Sequence, residues 1–77
     1  MRRIPLSKLT SGKKAKVVEI LGGGGLQARL MGLGIYVGRE ITKISNFALR
    51  GPVTVKVGRT TLALGYGMAA KIIVETE

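Results

Sequence analysis

Residues 25–41 read GLQARLMGLGIYVGREI. This stretch predicts a short helix that ends at a glycine and is followed directly by a strand. At about 100° per residue, Leu26, Leu30 and Leu33 fall within one narrow arc, with Arg29 at its edge. A helix of two turns is not stable by itself in water. The sequence therefore predicts that this helix packs on the elements around it.

The end of this helix has its own sequence signal. Gly34 stands where a left-handed residue is needed, and Ile35 follows at the position that contacts Leu30 in a Schellman motif. Residues 36–39 read YVGR and predict a type II turn, with Gly38 at the position that requires positive φ. The chain is therefore expected to stop, turn and enter a strand within a few residues.

Short segments of strand character surround the helix. We predict five strands, over residues 14–21, 39–47, 53–57, 60–64 and 71–76. The fold class predicted is all-β with one short helix, a small antiparallel barrel of five strands with the helix between the first and second. Closure into a barrel would remove the unpaired edges of so small a sheet. The whole chain, residues 1–77, is expected to be one domain.

Local signals refine this assignment. Two adjacent valines at 17–18 break the alternation of the first strand and predict either a bulge or burial on both faces there. Residues 58–59 (GR) predict a type II′ hairpin turn. A single helical turn over 5–9 is expected to plug one end of the core, while 48–52 form a loop and 65–70 a turn or 3₁₀ segment.

The predicted barrel interior consists of alternating aliphatic residues from the later strands. These residues are Val53, Val55, Val57, Leu62, Leu64, Ile72 and Val74.

The residue types that are missing argue against an enzyme. The 77-residue chain contains no Cys, His, Trp or Asp, so most of the residue types that form catalytic nucleophile–base pairs are missing. Thiolate and imidazole ligands for a transition metal are lacking as well. A site built from Glu19, Glu40 or Glu75, with Gln27, has no motif to support it. We predict no catalytic residue, no metal site and no cofactor.

Charge points to an anionic partner or to a solvated surface. Thirteen Lys and Arg against four Glu give a formal net charge of +9. Such an excess suits an acidic protein face, nucleic acid or an anionic membrane surface, and it also keeps a small domain in solution. No apolar segment is long enough to span a membrane, and no apolar region follows the basic start as in a signal peptide.

Four glycines at 22–25 precede the helix and, with Ala28, fit a dinucleotide-binding fingerprint. The acidic residue that should follow about twenty residues later is missing, because Asn46 and Phe47 stand there. The glycines are better explained as a strand-to-helix connection, with an anion site at the helix start as the alternative. Gly32, inside the helix, predicts that another group comes close at that point, either a barrel strand under the helix or a partner packed over it.

The order of these elements resembles the FeoA family, small cytoplasmic proteins tied to ferrous iron uptake. The match covers nearly the whole chain, and its most specific part is the exit of the helix. Val37, Gly65 and Met68 depart from the family pattern, which commonly has Pro, Arg and Glu there. The residues that match are Leu6, Leu9, Gly12, Arg29, Leu30, Leu33, Gly34, Gly38, Gly51, Pro52, Ala69, Ile72 and Val74.

The resemblance implies an SH3-like barrel and a cytoplasmic accessory protein of ferrous iron transport. Its partner would be the cytoplasmic part of the FeoB transporter, which carries a GTP-binding domain, and it would act by binding without chemistry of its own. Binding of transition metal ions is implied for the family by the same resemblance. The partner-binding residues we predict are Leu26, Arg29, Leu30, Met31, Leu33, Ile35 and Tyr36.

Two alternative functions stay open at this point. A nucleic-acid-binding barrel would use the net charge, but only Tyr36, Phe47 and Tyr66 are aromatic, too few for an ordinary stacking surface. A metal-responsive regulatory domain is the other alternative, since FeoA-like domains resemble the C-terminal domains of metal-dependent repressors. The oligomeric state is not predicted.

Overall fold

A six-stranded antiparallel sheet and two short helices form the domain in a computed structural model that describes residues 1–46 and 50–77. The strands are β1 (Arg2–Pro5), β2 (Lys14–Ile20), β3 (Glu40–Asn46), β4 (Val53–Val57), β5 (Thr60–Leu64) and β6 (Ile72–Thr76). The helices are α1 (Gly24–Gly32) and α2 (Tyr66–Ala69), and a 3₁₀ turn covers Leu6–Lys8.

The strands lie in the order β1-β6-β2-β3-β4-β5, and every neighbouring pair is antiparallel. The predicted fold class is therefore confirmed. β1 and β5 are the two ends of this order, and within the described ranges no ladder joins them. The 3₁₀ turn contacts α2 and β6, and Leu6 in the turn and Leu9 just after it are buried, as expected of a plug at one end of the core.

The strand count of five was wrong because β1 was missed. Consequently α1 lies between β2 and β3. β1 is short, basic and ends at Pro5, so it lacks the alternation that marks a strand. It is stabilised by pairing with β6, where Arg3 forms an ion pair with Glu75 at 3.2 Å. Proline is tolerated there because β1 is an edge strand.

The core forms from alternate residues of the strands, as predicted. Val53, Val55, Val57, Leu64, Ile72 and Val74 are buried, and Leu62 is partly buried against them. Leu30 and Ile35 on either side of the end of α1 are both fully buried. Burial of this apolar surface holds α1 on the sheet.

Most local predictions are confirmed. The register of β2 against β6 shifts between Val17 and Glu19, which is the expected irregularity. Gly58 has φ +61°, and the hairpin closes with Val57 opposite Thr60. The segment predicted as a turn or 3₁₀ forms the α-helical turn α2. Of the predicted strand end and loop at 47–52, residues 47–49 lie outside the described residues.

Lys43 occupies an inward position on β3, which the sequence analysis did not foresee. Its side chain is only 2% exposed, and its ammonium donates a hydrogen bond of 3.0 Å to the carbonyl of Ser7. Burial lowers the pKa of Lys43 from the ordinary value of 10.5. The bond ties β3 to the 3₁₀ turn across the core.

Within the part of the chain that is described, neither α1 nor α2 has the length and apolar character required to cross a bilayer.

Candidate functional site

The site begins at the end of α1, which is a Schellman motif as predicted. Gly34 has φ +89°, and its amide donates to the carbonyl of Met31 at 2.9 Å. The amide of Ile35 donates to the carbonyl of Leu30 at 2.8 Å. These are the two bonds that define the motif, and they fix where the chain leaves the helix.

The next four residues form the predicted type II turn. The amide of Arg39 donates to the carbonyl of Tyr36 at 3.0 Å, and Gly38 has φ +96°. The turn is also bonded to β2, because Gly38 donates to Val17 at 2.8 Å and Val17 donates to Arg39 at 2.9 Å. The side chains of Tyr36 and Val37 therefore project from a turn held at both ends.

An apolar groove lies between α1 and this turn. It has a volume of about 270 Å³ and is lined by Ile20, Gln27, Met31, Tyr36 and Val37. Met31 is 62% exposed and Val37 60%, although both are apolar. We call these five residues the apolar groove. Exposed apolar side chains grouped around a concavity are characteristic of binding surfaces.

A larger polar cleft lies on the other side of Tyr36. Its volume is about 470 Å³. We call it the basic cleft, since its lining contains three basic side chains and one acid. The lining residues are Lys14, Tyr36, Gly38, Arg39, Glu40, Thr42, Lys56 and Gly58.

The strand register determines the positions of the two lysines of this cleft. Thr42 on β3 is opposite Lys14 of β2 on one side and opposite Lys56 of β4 on the other. Directly paired residues project from the same face of a sheet, so two lysines flank a threonine on the outer face. Glu40, two residues before Thr42, shares that face, and its carboxylate lies 3.7 Å from the ammonium of Lys14.

Among the basic side chains of the cleft, that of Arg39 is held by the best defined contacts. Its guanidinium carbon lies 5.8 Å from the centroid of the Tyr36 ring, and its Nη1 donates to the Tyr36 phenol oxygen at 3.2 Å. A Cβ at Gly58 would come within 2.5 Å of Nη2 of Arg39. A side chain at this position of the β4–β5 turn would therefore require the guanidinium of Arg39 to move.

The structure separates the predicted partner-binding residues into three groups. Leu30 and Ile35 are fully buried, so they lie beneath the surface and would support it, and their part in partner binding stays a prediction. Met31 and Tyr36 meet in the apolar groove. The remaining residues are the half-buried Leu26 and the exposed Arg29 and Leu33, which do not line the groove.

The structure bears on two expectations about α1. Leu33 is 44% exposed although it shares the arc of Leu30, because the Schellman motif ends the helix just before it. No strand comes close to Gly32, since a Cβ there would meet nothing within 4 Å in the chain itself, so only the packing of a partner over Gly32 stays a prediction. The helix is held on the core through Leu30 and, in part, Leu26.

Sequence reasoning missed the residues that complete the two concavities. Val37 could have been found from its place in the turn, because side chains at the second position of a tight turn point outward. Lys56 and Thr42 could not be assigned together, since their pairing depends on the strand register. Of the two aromatic residues other than Tyr36, Tyr66 is half-buried in α2 and Phe47 lies outside the described residues.

The described residues do not fit a resident transition-metal site. Metal sites of this kind use Cys and His, which the sequence lacks. Among the residues described, no three acidic side chains come close enough to hold a metal ion. We therefore assign no step to a bound metal.

Comparison with known proteins identifies the family. The model of the FeoA domain matches residues 4–76. This chain belongs to the FeoA family. The curated protein "Putative Fe(2+) transport protein A" of Methanocaldococcus jannaschii is 35% identical over 71 residues, covering 92% of this chain and 84% of that protein.

Solved structures agree with this assignment. A crystal structure of an iron uptake regulatory protein, FeoA, aligns with a TM-score of 0.88 and 32% identity over 97% of both chains. A manganese-dependent transcriptional repressor aligns with a TM-score of 0.84 over 94% of this chain and 40% of its own, at 19% identity. The second likeness shows the fold alone. Together they confirm the SH3-like fold implied by the resemblance.

Proposed function

We propose that this FeoA-family chain is a cytoplasmic accessory protein of ferrous iron transport that binds the cytoplasmic part of a FeoB transporter. It acts by binding and carries out no chemistry itself. Iron is the cargo of the transporter and not a ligand that this chain must hold. The observation that carries the proposal is the apolar groove at the exit of α1, in a chain whose family is tied to ferrous iron transport.

The groove is suited to docking because the backbone that carries its exposed apolar side chains is held in place. Met31 lies in the last turn of α1 and Val37 lies in a turn bonded to β2, so little backbone freedom is lost on binding. Apolar side chains that fill such a concavity supply most of the affinity of ordinary interfaces. The rest of the contact area need only exclude water.

The positive charge of the chain supports the proposed docking as well. The formal net charge of +9 would speed the approach to an acidic face of the partner and orient the encounter. Lys14, Arg39 and Lys56 lie next to the groove, in the basic cleft. Contacts in the apolar groove would then slow dissociation of the complex, and the basic cleft would help to orient the partner.

The test is a titration of this chain into the soluble GTP-binding part of the FeoB protein of the same organism, with and without guanine nucleotide. We expect saturable binding in at least one nucleotide state. Val37→Ser should weaken it by about tenfold, since loss of one interface anchor costs about 1–2 kcal/mol. No binding of the unaltered chain in either state would contradict the proposal.

Ile44→Ser is the matched control. Ile44 is also an aliphatic β-branched residue, 44% exposed, and it does not line the groove. Its replacement should change the affinity by less than about twofold, because exposed positions outside an interface contribute little. Equal effects of the two substitutions would place the docking surface elsewhere.

A further inference from the structure

We propose that the basic cleft is a receptor for a carboxylate side chain of the docked partner, beside an apolar side chain that enters the apolar groove. The inference rests on the proposed function and adds the chemistry of the segment recognised. The partner would present an acidic residue next to an apolar one, and Arg39 would be the main contact of the carboxylate.

Tyr36 connects the two concavities. It is a lining residue of both the apolar groove and the basic cleft, and it is 38% exposed. A segment lying across Tyr36 therefore reaches Met31 and Val37 on one side and Arg39 on the other. Adjacent side chains of one short peptide can occupy both places at once.

Arg39 is prepared for a carboxylate. Its Nη1 is engaged by the Tyr36 phenol oxygen and the guanidinium lies over the Tyr36 ring, while the described residues give it no carboxylate partner. A guanidinium fixed in this way loses less side-chain entropy when it binds. Hydrogen bonds between a guanidinium and a carboxylate are among the stronger ones in proteins.

Part of the positive charge on the floor of the cleft is already neutralised. Lys14 and Lys56 flank Thr42, but Glu40 shares the same face and already pairs with Lys14. The lining remains net positive and therefore attracts anions in general, so the size of the cleft decides between them. A volume of about 470 Å³ is several times that of a small free anion, so a side chain carried by a larger molecule fits better.

Nucleic acid is a poorer occupant of this cleft. Single strands are bound by stacking bases on aromatic faces along a basic track. Tyr36 is the one aromatic residue of the lining. The cleft therefore offers positive charge without a series of aromatic faces on which successive bases could stack.

The experiment uses two capped tetrapeptides and NMR titration of the ¹⁵N-labelled full chain at low salt. One peptide carries leucine next to glutamate, and the other has glutamine in place of the glutamate. We expect the glutamate peptide to bind about tenfold tighter, as a charge-assisted hydrogen bond allows. Its largest shifts should fall on the amides of Gly38, Arg39 and Gly58.

Variants assign the preference to Arg39. Arg39→Gln should reduce the preference for the glutamate peptide to less than about twofold, the level of an exposed charge effect. Arg2→Gln removes the same charge from an exposed position outside the cleft and should leave the tenfold preference intact. Tyr36→Phe keeps the ring but removes the hydrogen bond that holds Nη1 of Arg39. It should therefore lower the affinity for the glutamate peptide and leave the affinity for the glutamine peptide unchanged.

Three results of the titrations with peptides and phosphate would overturn the inference. They are equal binding of the two peptides to the unaltered chain, equal loss with Arg2→Gln and Arg39→Gln, and tighter binding of inorganic phosphate than of the glutamate peptide. Saturable binding of a single-stranded oligonucleotide with its shifts at the cleft would overturn it too, in favour of nucleic acid.

The soluble part of the transporter gives a separate readout. If it binds the unaltered chain and Arg2→Gln alike but binds Arg39→Gln about tenfold more weakly, the inference is supported. If it binds all three equally, the inference fails and the proposed function stands. If it binds none of them, the proposed function fails, and the inference, which rests on it, falls too, although the peptides still report what the cleft prefers.

Discussion

The amide of Ile35 donates a hydrogen bond of 2.8 Å to the carbonyl of Leu30, and both side chains are fully buried. The two residues lie on opposite sides of the left-handed Gly34, so one contact ends the helix and anchors it to the core. Everything exposed at the candidate site is placed by that anchor. Met31 lies on the outer side of the last helical turn, and Tyr36 begins the turn that follows.

Leu30→Ala should lower the free energy of unfolding by about 2–5 kcal/mol, because it opens a cavity at a fully buried position. Urea unfolding followed by circular dichroism measures this change. Met31→Ala is the control, and at 62% exposure it should change stability by less than about 0.5 kcal/mol. Equal effects of the two substitutions would mean that α1 does not rest on Leu30.

Gly32→Ala should raise the free energy of unfolding by about 0.5–1 kcal/mol, because alanine is the better helix former and its Cβ meets nothing within 4 Å. Thermal unfolding detects it. Gly25→Ala, at the other end of α1 and equally unobstructed, should also stabilise the protein. Destabilisation by Gly32→Ala would show that another group comes close after all. Weaker partner binding by Gly32→Ala alone would show that the partner packs over Gly32.

Gly58→Ala should displace the guanidinium of Arg39, since the new Cβ would lie 2.5 Å from Nη2. The Arg39 Nε–H resonance should shift, and the preference for the glutamate peptide should fall. Gly12→Ala is the control, because Gly12 also has a positive φ, +88°, but has open space around it. Both variants should lose about 1 kcal/mol from left-handed strain, and only Gly58→Ala should lose the preference.

Lys43 makes the stability depend on pH at alkaline values. Burial lowers the pKa of Lys43 in the folded chain below its ordinary 10.5, so between the two values the unfolded chain binds more protons. The free energy of unfolding should therefore rise as the pH increases through that window. The comparison is with Lys43→Met, which lacks this group. The difference between the two proteins should grow in favour of the unaltered chain as the pH approaches 10.5, and a falling difference would contradict the assignment.

The local part of the site was predictable because its signals lie within a few residues. Gly34 and Gly38 need positive φ, Ile35 follows at the right place, and the Schellman motif and type II turn form as expected. The hairpin at Gly58 was predictable for the same reason. Patterns of this kind are decided by the backbone and depend little on distant contacts.

The parts that were missed depend on tertiary pairing. β1 becomes a strand because β6 offers it an edge, and Lys43 is buried because the carbonyl of Ser7 lies across the core. The basic cleft requires the register that sets Lys14 and Lys56 on either side of Thr42. The register of these strands cannot be deduced from a single sequence.

The most direct test of the account is cross-saturation NMR on the labelled chain in complex with the soluble part of the FeoB transporter. The measurement reports which amides lie against the partner. We expect the strongest saturation transfer at Met31, Tyr36, Val37 and Arg39, with little at the edge strand β5. Transfer concentrated along Thr60–Leu64, with none at the exit of α1, would contradict it.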